Sequence, residues 1–83
     1  MAYDTIMRWC RKVDIDTIIE AINEHCNNEL TTDHIHTDSD GNWYSMRGNT
    51  KRKMTLSEIR LYYYNVVCGG DIENLKSNIN DLI

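Results

Sequence analysis

The stretch HIHTDSDGNWYSMRGNTKRKM, residues 34–54, decides how this chain folds. Asp40-Gly41 is a two-residue turn signal, because a type I′ turn needs positive φ at both central positions. Such a turn sets Ser39 opposite Asn42, Asp38 opposite Trp43, Thr37 opposite Tyr44, His36 opposite Ser45 and Ile35 opposite Met46. Side chains alternate along a strand, so this register sorts the faces. Ile35, Thr37, Tyr44 and Met46 are expected on the core side. His34, His36, Asp38, Trp43, Ser45 and Arg47 are expected on the other.

Helical patterns flank the hairpin. Upstream, Ile6, Cys10 and Val13 share a face of a short helix that Asp4 is placed to cap, with Tyr3 and Trp9 beside it. Ile15, Ile18, Ile19, Ile22 and Cys26 follow the spacing of a second buried stripe. Asp14 is its expected N-cap, Val13 staples onto Ile18, and Thr31-Thr32-Asp33 ends it. Downstream, Thr55 and Glu58 form a capping box, with Met54 and Ile59 as the matching staple. Leu56, Ile59, Tyr63, Val66 and Val67 give the stripe of that helix, and Cys68-Gly69-Gly70 ends it. Asp71 caps a last helix with Ile72, Leu75, Ile79 and Leu82 on its buried side. The expected architecture is a small α+β single domain over residues 1–83. Its order is α-α-β-β-α-α, with one β-hairpin packed on helices. A lone hairpin is marginal in water, so it packs on the helices or pairs across a homodimer.

Eighty-three residues bury a thin core. The three cysteines, Cys10, Cys26 and Cys68, form no C-x-x-C pair, and no apolar leader precedes them. They are read as reduced, buried thiols of a cytoplasmic protein. No apolar run is long enough to span a membrane.

Charge is unevenly spread. The formal net charge is -4, yet residues 41–70 hold five Lys/Arg against Glu58 alone. The other residues hold four bases against twelve acids. Such asymmetry concerns partners and solubility rather than fold.

Catalytic patterns are missing. The chain has no phosphate-cradling Gly-rich loop, no G-x-S-x-G and no H-E-x-x-H, so a non-enzymatic role is expected and no cofactor is called for. His34 and His36, with Cys26 and His25, form a weak candidate metal set, and a zinc-stabilised domain is the third reading. C-x7-H-x-H is not a zinc spacing, and Cys26 belongs to an apolar stripe. Asp38, Asp40 and Asn42 around Gly41 resemble a calcium loop only in part, since Arg47 falls where the loop needs a glutamate.

Trp43, Arg47, Lys51, Arg52, Lys53, Arg60 and Tyr64 remain as the candidate partner-binding surface. Trp, Tyr and Arg dominate protein hot spots. Cations with aromatic rings also suit RNA or single-stranded DNA, the alternative reading. The plain reading of the cations is a solvated loop that offsets nearby acids. Asp16, Glu20 and Glu24 line one side of the second helix. They form a second candidate surface, able to occupy a basic nucleic-acid channel, or simply a solvated face. The expected function is that of a small binding protein that regulates or inhibits a larger macromolecule. Its expected partner is a host protein or nucleoprotein, as for accessory chains of phages and mobile elements that block host nucleic-acid-processing or defence proteins.

Overall fold

Asp38 decides the register of the hairpin. In the computed structural model, which describes residues 2–28, 34–47 and 49–83 without the side chains of Ala2 and Arg47, its Oδ1 accepts from the backbone N–H groups of Asp40 (3.0 Å) and Asn42 (2.9 Å). The Asp38 N–H donates to the Asn42 carbonyl at 3.0 Å, and the Gly41 N–H donates to the Asp38 carbonyl at 3.1 Å. The loop is therefore Ser39-Asp40-Gly41, closed by the pair Asp38 and Asn42. Gly41 takes φ +82°, the left-handed residue that a three-residue hairpin loop requires.

That extra loop residue corrects the expected register by one. Strand β1 (Ile35–Thr37) pairs antiparallel with β2 (Trp43–Arg47) as Ile35↔Ser45, His36↔Tyr44 and Thr37↔Trp43. A one-residue slip sends each side chain of β2 to the opposite face. Trp43 and Ser45 thus share the inner face with Ile35, while Tyr44 and Met46 join His36 outside. Trp43 packs against the core instead of standing in solvent.

The sheet also has a strand that the sequence reading takes as loop. β3 (Thr50–Met54) pairs antiparallel with β2, Trp43 opposite Met54 and Tyr44 opposite Lys53. The hairpin is thereby extended to a three-stranded sheet of order β1-β2-β3. The crowded cations Lys51, Arg52 and Lys53 are an exposed edge strand. Lysines on an edge discourage pairing with another sheet. The opposite edge is covered from α2 (Ile15–Asn28): Asn23 accepts from the Ile35 N–H at 2.8 Å and donates to the Ile35 carbonyl at 3.1 Å.

The helices bury much of the expected stripes, with differences: Leu56 is exposed and Met7 is buried, and Asp4, expected to cap the first helix, lies inside it. α1 (Ala2–Cys10) buries Ile6, Met7 and Cys10, and α2 buries Ile18, Ile22 and Cys26. Thr55 caps α3 (Leu56–Tyr62) with both bonds of the capping box in place. α4 (Ile72–Leu82) starts at Asp71, whose side chain accepts from the N–H groups of Glu73 and Asn74, and it buries Leu75 and Ile79. The expected stop at Thr31-Thr32-Asp33 lies outside the described residues.

Between α3 and Gly69 the backbone runs as a π-helical segment, Tyr63–Val67. The Cys68 N–H reaches back five residues to the Tyr63 carbonyl at 3.2 Å. The wider turn rotates the expected stripe. Tyr63 and Cys68 are buried, whereas Val66 is left exposed. Among the described residues, those that are buried form one cluster, in which the inner sheet face meets the helices through Ile35 and Met54.

Candidate functional site

The outer sheet face is built from alternate residues of three strands. Tyr44 stands on the central strand. The His36 ring stacks against it from β1, with centroids 5.7 Å apart and planes 28° apart. Lys51 reaches it from β3, with Nζ 4.0 Å from the ring centroid. The ring is flanked from both neighbouring strands, and a cation over an aromatic face is attracted by about 0.5–1 kcal/mol when exposed. His34 continues the row, its ring centroid 6.3 Å from that of His36. It is tied at Nε2 to Asn27 Oδ1 at 2.7 Å.

Of the seven expected contact residues, the structure brings only Lys51 and Lys53 together on this face. Both are exposed, and neither makes an ion pair among the described residues. Trp43 lies inside. Arg52 is committed to Glu58, with Nη2 2.8 Å from Oε2. Arg60 is half-buried on α3 beside Cys10, and its Nε is buried without a hydrogen-bond partner. The Tyr64 hydroxyl donates to the Gly70 carbonyl at 2.8 Å, and the Gly70 N–H returns a bond to the Tyr64 carbonyl at 3.0 Å. Tyr64 thus locks the end of the π-helical segment. The side chain of Arg47 lies outside the described residues. A two-residue turn puts Tyr44 and Met46 on the core side, whereas the three-residue loop puts them outside. The available signal was Asp38, an aspartate able to bond the backbone two residues on.

Charges elsewhere are also separated. Asp16, Glu20 and Glu24 are exposed on α2 and make no ion pair among the described residues. Trp9 carries Lys12 Nζ at 4.5 Å and Lys76 Nζ at 5.9 Å from its ring centroid. This second cation–aromatic group escapes a linear reading, because Lys76 comes from α4.

The candidate metal ligands are not gathered. Cys26 is 1% exposed inside the core, while His34 is held by Asn27. Among the described residues, no three His, Cys, Asp or Glu side chains come together to hold a metal ion. Also among the described residues, no helix is long and apolar enough to cross a membrane.

Among the described residues, four α-helices with a three-stranded antiparallel sheet define the class: a small α+β fold. No family model matches the chain, and no curated protein or solved structure matches it.

Proposed function

We propose that this chain is a non-enzymatic binding protein that regulates or inhibits a larger protein or nucleoprotein by occupying its surface. The outer sheet face is the docking surface. The observation that carries this reading is Tyr44, flanked by His36 and Lys51 on the sheet face opposite the one that Ile35 and Met54 bury. An antiparallel sheet can leave one face to water. Here that face holds tyrosine and methionine, which are enriched at interface centres. Fixing Tyr44 before contact reduces the ordering cost of binding.

Direct nucleic-acid binding fits the same surface less well. Trp43 is turned inward and Arg52 is paired with Glu58. Two lysines remain on a chain of net charge -4. Two neutralised phosphates give a log–log salt slope of only about -1.4 for a single strand.

The test is fluorescence anisotropy of a labelled single-stranded oligonucleotide across a salt series, beside capture of partners from nuclease-treated lysate. The proposal expects weak oligonucleotide binding with a shallow slope and a captured protein that survives nuclease. Tight binding with a slope much steeper than about -1.4, and loss of all captured material on digestion, contradicts it.

A further inference from the structure

A hollow of about 200 Å³ opens where the hairpin turn meets the outer sheet face, lined by Asp38, Asn42, Trp43, Tyr44, Lys51 and Lys53. Lys51 and Lys53 alternate on β3, so both side chains leave the same face of the strand, about 6.8 Å apart along it. Lys51 is held over Tyr44. Lys53 makes no ion pair among the described residues. Asp38 is the one acid in the lining, and its Oδ1 is already occupied by two backbone N–H groups.

We infer that this hollow receives an acidic side chain of the partner protein, its carboxylate between Lys51 and Lys53 and its methylene stem against Tyr44. The inference rests on the reading of the outer sheet face as a docking surface. Charge selects the occupant. Two lysines against Asp38 leave a single net positive charge, which a monoanionic carboxylate matches. A polyanion would meet the same small charge and then the repulsion of an acidic molecule. The aromatic wall selects a side chain with an apolar stem, and compact ammonium groups bind oxyanions as point charges.

The probe is a blocked decapeptide of alternating glutamate and alanine. Its glutamine counterpart serves as control, and decathymidylate serves as the polyanion arm. Each is titrated at low salt into the ¹⁵N-labelled full chain, with amide shifts as readout. The glutamate peptide is expected to give saturable shifts at Asn42, Tyr44, Lys51 and Lys53. The K51Q/K53Q variant is expected to weaken it by about tenfold, and its own spectrum reports that it is folded. The glutamine peptide is expected to be inert. The inference is overturned by shifts that fail to saturate or that map elsewhere, such as beside Arg8 and Arg11. Tighter binding of decathymidylate than of the glutamate peptide at equal salt overturns it too. If the peptide fails while Tyr44→Ala still releases a captured partner, the carboxylate assignment falls and the docking face stands.

Discussion

Glu58 joins the edge strand to the helix that follows it: its Oε2 meets Arg52 Nη2 at 2.8 Å, while its Oε1 accepts from the Thr55 N–H at 3.2 Å. One carboxylate thereby closes the capping box of α3 and holds the basic strand β3 against that helix. It also removes Arg52 from the pool of cations available to a partner.

Because the cap is the stronger half of this arrangement, Thr55→Ala is expected to cost about 1 kcal/mol. Arg52→Ala should cost less, about 0–1 kcal/mol, since the Arg52 side chain is 72% exposed and such pairs are screened by water. Urea unfolding of the two variants, with unchanged m-values, measures the difference. Equal losses would mean that the strand is anchored mainly by the ion pair.

Substitutions on the two faces of β2 test the register. Trp43 packs on the core, so Trp43→Ala is expected to destabilise by about 2–3 kcal/mol, below the full cost of a completely buried tryptophan. Tyr44→Ala removes an outward ring and should cost under about 1 kcal/mol. The reverse order would restore the two-residue turn.

The turn makes a separate prediction. A Cβ at Gly41 would meet nothing within 4 Å, but the φ of +82° remains unfavourable for any L side chain. Gly41→Ala is therefore expected to lose about 1 kcal/mol through the backbone alone, with Gly41→Asn losing less. Asp38 adds a pH signature. The Asn42 backbone N–H, followed by that of Asp40, holds its carboxyl below the usual aspartate value. Its contribution is present above the unfolded-state pKa and is lost as pH falls through the lower folded-state value. Asp38→Asn should flatten this acid limb in a series of denaturation curves. An unchanged acid limb would contradict the turn geometry.

Alkaline pH probes the core. Burial, reinforced by the neighbouring Cys68, pushes the Cys10 thiol up from 9.0 to about 11. Above 9 the unfolded chain releases this proton while the folded chain keeps it. Stability should therefore fall from about pH 9 and level off beyond about 11, with Cys10→Ser giving a shallower decline. In the native protein at neutral pH, iodoacetamide should modify the three buried thiols slowly. Rapid labelling of Cys10 would contradict its burial.

The helices were legible because each carries a periodic stripe, and α3 and α4 also carry a side-chain cap. Thr55 with Glu58, and Asp71 before Ile72, fixed two starts to the residue. The sheet was harder to read. β3 contributes only Met54 to the core, its other four residues being exposed, so it has none of the alternation by which a strand is usually recognised. The turn misled because Asp-Gly fits a two-residue loop, while the Asp38 side chain selects a three-residue one. The π-helical segment leaves no sequence mark, and it moved Val66 out of the expected stripe. The candidate site inherited these errors. A two-residue turn puts Trp43 outside and Tyr44 in the core, and the three-residue loop exchanges the two.

The most direct test of the docking face compares partner capture from nuclease-treated lysate by three chains at equal concentration: the native sequence, Y44A/K51Q/K53Q, and D16N/E20Q/E24Q. The first variant strips the outer sheet face, and the second neutralises the exposed carboxylates of α2. The account predicts a captured protein that the sheet variant loses and the helix variant keeps. Retention by the sheet variant with loss by the helix variant would place the contact on α2 and contradict the account.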